Sequence, residues 1–242
     1  MHEEIDQLLA NLKLRRMREI MPEELRRAAE QGMGPDEVVL RLLRAQWAYA
    51  QERTAHHRLQ AAKIPQQFDL RTFPFAQQPG VHRSQIEQLS HLDFVTQGSN
   101  VVLIGEPGVG KTGLATGLLL RGLSAGYTGR FIKAQELFDE MYTTLVDRTT
   151  RTYLNSLSRL RILVIDELGY LTIKPEQANI FFRLMDMRYT AHRSTIVTTN
   201  MNYDDWGRLL GDADKAKAML SRLRHRCVTI QINGPSLRTP TG

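Results

Sequence analysis

Eight consecutive residues, Gly105-Glu106-Pro107-Gly108-Val109-Gly110-Lys111-Thr112, have types and spacing that suit phosphate chemistry. The pattern is G-x-x-x-x-G-K-[ST]. Glycines let successive backbone N–H groups turn inward around phosphate oxygens, and a following helix adds its positive end. Lys111 supplies a flexible point charge for β- and γ-phosphates, and Thr112 offers a hydroxyl to Mg²⁺. The ligand this implies is a nucleoside triphosphate with magnesium, held by Gly105, Glu106, Pro107, Gly108, Val109, Gly110, Lys111 and Thr112.

Hydrolysis needs more than a grip. In Arg161-Ile162-Leu163-Val164-Ile165-Asp166-Glu167, four apolar residues end in two carboxylates, at the strand end where open α/β sheets bind ligands. Asp166 is placed to hold Mg²⁺ through water, and Glu167 to orient and deprotonate an attacking water. A third run, Ser194-Thr195-Ile196-Val197-Thr198-Thr199-Asn200, ends in an amide that suits the γ-phosphate or the nucleophilic water. An asparagine there is also a common turn residue. The fourth, Ser221-Arg222-Leu223-Arg224-His225-Arg226, offers a planar, permanent cation as an arginine finger. Arg222 is the candidate, Arg224 and Arg226 compete, and a basic helix end facing solvent or DNA is the other reading. A small-molecule kinase fits less well, because transfer to a bound hydroxyl has no use for a water-activating acid at Glu167.

These residues need a parallel sheet to present them. Short apolar runs at Val101–Ile104, Arg130–Ile132, Ile162–Ile165, Thr195–Thr198 and Val228–Ile232 alternate with helical stretches, a pattern of strands covered by helices on both faces. The first 65 residues read as helices alone. Ile5, Leu8, Leu9 and Leu12 fall at helical spacing; Pro35 suits a first helical position; and Val38, Val39, Leu42, Leu43 and Trp47 are expected to form one apolar stripe on a helix closed by Pro65. Residues 66–83 read as a linker whose Phe68, Phe73 and Phe75 pack on the next domain, and Ser84 with Glu87 matches a capping box that opens a helix. The expected domains are 1–65, 66–83 and 84–242.

The 242 residues are 42% apolar and 24% charged, which excludes a disordered chain or a disulfide scaffold. The formal charge of +6 is uneven: residues 206–242 alone hold seven Lys/Arg against two Asp/Glu. Such a segment is a footprint for nucleic acid or a solubilising tail. Arg148, Arg151, Arg159 and Arg161 flank a helical insert and invite the same two readings. The single cysteine, Cys227, reads as a small packed residue; with no membrane-length apolar run and a polar Met1-His2-Glu3-Glu4 start, the expectation is a cytoplasmic chain without a membrane partner.

In this order the motifs resemble AAA+ ATPases of the initiator and helicase-loader clade. Asp166-Glu167-Leu168-Gly169-Tyr170-Leu171, Ala178-Asn179-Ile180-Phe181-Phe182, Arg188-Tyr189, Thr198-Thr199-Asn200, Trp206-Gly207, Gly211-Asp212 and Ile232-Asn233-Gly234-Pro235-Ser236-Leu237-Arg238 are similar to the IstB family of ATP-binding transposition helpers. The resemblance implies an α/β P-loop AAA+ fold without a helical lid, preceded by a small all-helical domain for DNA or partner interaction. It also implies ATP-driven homo-oligomer assembly on duplex DNA, DNA deformation, presentation of that DNA to an integrase-type partner transposase, and release on hydrolysis. Lys111, Thr112, Asp166, Glu167 and Asn200 match the family's nucleotide and hydrolysis positions, and Arg222 its finger. The alternative the resemblance allows is a DnaC-like replicative helicase loader.

Overall fold

The computed structural model describes residues 2–169 and 171–238; Tyr170, quoted above for the resemblance, lies outside the described residues. The chain forms two compact units, Met1–His57 and Arg58–Gly242. This division precedes the expected boundary at residue 65, because Ala62 is fully buried in the second unit's core.

The first unit packs α1 (Glu3–Asn11), α2 (Arg15–Gln31) and the start of α3 (Pro35–Ala61) around Leu9, Met21, Val38 and Leu42. The expected single stripe on α3 is split. Val38 and Leu42 are buried, whereas Val39, Leu43 and Trp47 are exposed. The two sets stand one residue, about 100°, apart on the helix, and so small a unit covers only one of them. The arginines of α2 are largely neutralised within the unit: Arg18 pairs with Asp6, Arg15 with Glu19, Arg26 with Glu23 and Glu30, and Arg27 with Glu23. The helix stops at Ala61, four residues before Pro65.

In the second unit, α4 (Arg83–Ser90) and α5 (Asp93–Thr96) lead into β1 (Asn100–Gly105), then α6 (Lys111–Ser124), β2 (Gly129–Lys133), α7 (Ala134–Val146), α8 (Thr150–Arg159), β3 (Ile162–Leu168), α9 (Pro175–Thr190), β4 (Ser194–Thr199), α10 (Trp206–Leu210), α11 (Ala213–His225) and β5 (Cys227–Ile232). The expected capping box is not formed: α4 begins at Arg83, with His82 as its N-cap and Ser84 inside the first turn. The Arg83 guanidinium lies 4.5 Å from the centre of the Phe75 ring, a contact that holds the helix start ahead of the serine.

The five strands form one parallel sheet in the order β2-β3-β4-β1-β5. Alternation along the strands divides the core in two. Val101, Leu103, Val164 and Ile196 face α4, α5 and α6, whereas Val102, Ile104, Ile165 and Val197 face α7, α8, α9, α10 and α11. Phe73 is buried on the first face, with its ring 5.0 Å from Phe75 and 6.4 Å from Phe68 in edge contacts. Among the described residues no helix follows β5; residues 233–238 return across the loop after β1. No described helix is long and apolar enough to cross a membrane.

Candidate nucleotide-binding site

The phosphate loop runs from β1 into α6. Gly108 and Gly110 have φ of +86° and +97°, where side chains are strained. A Cβ on Gly110 would also lie 2.7 Å from the Phe73 ring. The loop is therefore shaped by glycine conformation and by the phenylalanine packed behind it. Lys111 leads α6, and its Nζ donates to the carbonyls of Gly105 (2.7 Å) and Glu106 (2.8 Å). Burial pushes the Lys111 ammonium below its usual value, against the pull of Asp166, Glu106 and Glu167.

Asp166, at the C-terminal end of β3, is 1% exposed. Its Oδ1 accepts from Thr198 Oγ1 on β4 (2.6 Å) and from Thr112 Oγ1 (2.9 Å). Burial raises the carboxyl above the ordinary carboxylate range, and the two hydroxyls partly offset that effect. Glu167 follows in the left-handed region (φ +60°), where the pairing of β3 with β4 is interrupted between Ile165 and Leu168. This bulge turns the glutamate out of the ladder; its side chain is half exposed, 3.6 Å from Lys133 Nζ. Non-glycine residues held in such a conformation cost roughly 1–3 kcal/mol and concentrate at functional sites.

Asn200 stands just beyond β4, and its Oδ1 is buried without a hydrogen-bond partner. A Cβ on Gly169 (φ +148°) would lie 2.5 Å from that oxygen, so glycine is needed beside the amide. Lys111, Thr112, Glu167 and Asn200 line one cavity of about 220 Å³ with Pro107, Gly108 and Arg238. Asp166 joins them through the Thr112 hydroxyl.

The donors present fit magnesium. Among the described residues no cluster of three His, Cys, Asp or Glu could form a closed metal cage. Mg²⁺ uses one or two protein oxygens and completes its shell with water and phosphate oxygens, and Thr112 Oγ1 beside the Asp166 carboxylate offers such a pair.

Arg222 stands elsewhere. It pairs with Asp186 at 3.4 Å and lines a cavity of about 410 Å³ with Asn100, Arg193 and Thr195, at the N-terminal ends of β1 and β4. The phosphate loop is at the C-terminal end of β1, so a six-residue strand, about 20 Å at 3.3 Å per residue, separates the two. Arg226 lines the same cavity and meets Gln97 O and His192 Nδ1, each at 3.4 Å; Arg224 stacks 4.8 Å from the Tyr203 ring centre.

Four positions that the structure brings to these groups or to the core were not singled out in the sequence. Thr198 was read as part of a strand and of a resemblance, Lys133 falls just past the run read as Arg130–Ile132, and Arg238 and Arg188 were pieces of a resemblance. Arg188 is 1% exposed and donates to Thr195 Oγ1 and to the carbonyls of Leu157, Leu160 and Ser194, tying α9 to the ends of α8 and β4. Burial pushes it down to about 9, which leaves it charged at neutral pH. Arg183 lies on the same helix, so the sequence pattern alone does not mark Arg188.

Residues 7–241 match the family described as IstB-like ATP binding protein. The chain belongs to that family. This IstB-like chain is 35% identical over 238 residues to the insertion sequence IS21 putative ATP-binding protein of Pseudomonas aeruginosa, covering 98% of this chain and 89% of that one. It is 31% identical to the insertion sequence IS232 putative ATP-binding protein of Bacillus thuringiensis subsp. berliner, covering 95% and 92%. Among solved structures it is similar to DnaI (TM-score 0.58, 21% identity, 71% of this chain and 90% of that one) and to the DnaC helicase loader (TM-score 0.54, 22% identity, 62% and 86%). These likenesses show the fold alone: an α/β domain with a parallel sheet covered by helices.

Proposed function

We propose that this IstB-like protein is an ATP hydrolase that serves transposition: with ATP it assembles on duplex DNA, deforms it and presents it to a partner transposase, and hydrolysis releases it. The observation that carries the hydrolase reading is the convergence on one small cavity of Lys111, Thr112, Glu167 and Asn200, whose amide oxygen is unpartnered, with Asp166 one hydroxyl away. The relatives named for insertion sequences support the biological setting. The likeness to helicase loaders is one of fold, which leaves a DnaC-like loader as the second choice.

In this reading ATP enters with its β- and γ-phosphates on the loop amides. Lys111 leaves the Gly105 and Glu106 carbonyls for phosphate oxygens. Magnesium bound at Thr112 and Asp166 would neutralise charge on those oxygens. Glu167 takes a proton from water held by the Asn200 amide; the oxygen of that water bonds to the γ-phosphorus, the bond to the β,γ-bridging oxygen breaks, and ADP and phosphate leave. Arg222 serves the γ-phosphate of a neighbouring copy, because its own subunit's nucleotide lies a strand-length away. Assembly of copies on the nucleotide follows from that arrangement.

DNA contact in this reading draws on the basic excess of residues 206–242, with the helical first unit serving partner recognition. The α2 arginines are poor candidates for DNA, since carboxylates already face them. The test is ATP turnover with and without duplex DNA, read beside sedimentation in ATP and in ADP. Stimulation by DNA with ATP-dependent growth in particle size supports the proposal. A chain that hydrolyses nothing and stays one size refutes it, and capture of a replicative helicase instead of a transposase moves the chain to the second reading.

A further inference from the structure

The cavity of about 410 Å³ at the N-terminal ends of β1 and β4 is out of charge balance. Arg188, Arg193, Lys215, Arg222 and Arg226 line it, and among the described residues Asp186 is its one acid. Arg222 already occupies Asp186, and Lys215 has partners of its own in Asp212 and Asn179. Arg188, Arg193 and Arg226 pair with no carboxylate among the described residues.

The turn from α9 to β4 brings two of these cations together, because Arg193 N donates to Arg188 O at 2.9 Å. Arg188 is buried, with its N–H groups spent on Thr195 Oγ1 and on the carbonyls of Leu157, Leu160 and Ser194. The neighbouring Arg193 charge opposes its own. Arg193 Nε is buried without a hydrogen-bond partner, and a donor cut off from both water and acceptor is costly. Arg226, between α11 and β5, reaches the same space with nothing better than the 3.4 Å contacts to Gln97 O and His192 Nδ1. Gly98 lets this corner close, since a Cβ there would lie 2.8 Å from the His192 backbone.

One anion answers all three features. It offsets like charges held at one turn, it accepts from Arg193 Nε, and it gives Arg226 a counter-ion. Guanidinium forks match the oxygens of a phosphate in pairs. The remaining wall is apolar, from Phe182, Met185, Met219 and Leu223, and the volume suits a small molecule.

We propose that this cavity binds a phosphate group on Arg193 and Arg226, with Arg188 adding its charge and the apolar wall holding whatever the phosphate is attached to. The phosphate belongs either to a soluble phosphate compound or to the nucleotide of a neighbouring copy. The second source rests on the assembly reading given above; the first is independent of it.

The test starts from the full chain carrying K111A, which disables the phosphate loop and isolates the cavity. Calorimetry with inorganic phosphate and with phenyl phosphate is expected to show one molecule bound per chain. Adding R193A or R226A weakens it on the order of tenfold, and R193K recovers part of the loss. That result assigns a soluble source. If neither probe binds, sedimentation in ATP decides: R193A and R226A chains that bind ATP as wild type does, yet no longer associate, place the phosphate on a neighbour's nucleotide. Probe binding that R193A and R226A leave unchanged overturns the proposal. So does the lack of probe binding together with association that the variants leave unchanged or that wild type lacks. Arg226 is exposed, so R226A keeps the wild-type melting temperature and decides alone should R193A fail to fold. A wild type that neither binds ATP nor associates removes the assembly reading, and the K111A calorimetry then judges the cavity by itself.

Discussion

The hydroxyl of Thr198 joins the two acids of the site: it donates to Asp166 Oδ1 at 2.6 Å and accepts the Glu167 amide at 2.9 Å. A single side chain on β4 thereby holds the buried carboxylate and supports the bulge that turns Glu167 outward. Neither contact is replaceable by water, since Thr198 and Asp166 are buried.

Thr198→Val keeps the shape and removes both bonds. A buried acceptor left short of a donor costs about 1–3 kcal/mol, and the variant is expected to lose that much in chemical denaturation. Turnover falls further than ATP affinity does, because Lys111 and the loop amides are untouched while Glu167 loses its support. Equal losses in kcal/mol for stability, binding and turnover contradict this division.

Asp166→Asn reverses the sign of the stability effect. An acid whose native value stands above its unfolded one binds more protons when folded, so stability falls as pH rises from about 3.8 through the raised native value. The penalty builds across that window. The asparagine variant avoids it, and without nucleotide it melts above wild type at pH 7, with the gain shrinking toward pH 4. Magnesium-dependent hydrolysis is lost in the same protein. A variant that melts lower at pH 7 shows that the carboxylate stabilises the apo fold after all.

Glu167→Gln retains the carbonyl and the bulge but cannot take a proton. Removing a general base lowers turnover on the order of a hundredfold or more, while ATP affinity stays within about twofold, or improves because hydrolysis no longer empties the site. Rapid-quench turnover beside equilibrium nucleotide binding separates the two. Unchanged turnover takes the proton-acceptor role away from Glu167 and leaves its backbone conformation unexplained.

The loop and the two acids were legible in the sequence because their information is local: eight contiguous residues define the phosphate cradle, and an apolar run ending in Asp-Glu defines the neighbouring wall. The sheet order was not. Nothing in the chain near Ile162 announces that β4, thirty residues on, inserts between β1 and β3, and that insertion makes Thr198 the link between the acids. Arg238 was hidden for the same reason: its place depends on Leu237 meeting Gly108 and Gln78 meeting Pro235, contacts between distant parts of the chain. The α3 stripe misled because helical spacing reports which residues share a face, not whether the molecule is large enough to cover it.

If duplex DNA binds, its salt dependence should leave α2 out. Arg26 and Arg27 each face glutamates 2.7 Å and 3.0 Å away, so replacing both with alanine releases no counterions from DNA. The slope of log affinity against log salt, about −0.9 per phosphate contact, is expected to match wild type. A slope shallower by about two would place both arginines on the phosphate backbone and assign the first unit to DNA.

Arg222 and Asp186 set the last expectation. Their 3.4 Å pair is half exposed on both sides, a geometry worth at most about 1 kcal/mol, so in the proposed assembly a neighbouring copy's triphosphate is expected to outcompete the carboxylate for the guanidinium. Arg222→Ala should therefore bind ATP normally yet hydrolyse it poorly. Mixing Arg222→Ala with Glu167→Gln protein restores an interface at which an intact Glu167 meets an intact Arg222 from the other copy, and turnover recovers above that of either variant alone. Asp186→Ala, which frees the arginine, raises turnover modestly or leaves it unchanged. No recovery on mixing transfers the finger role to Arg224 or Arg226, tested by the same mixing; a collapse of turnover in Asp186→Ala makes the carboxylate a positioning group for the arginine.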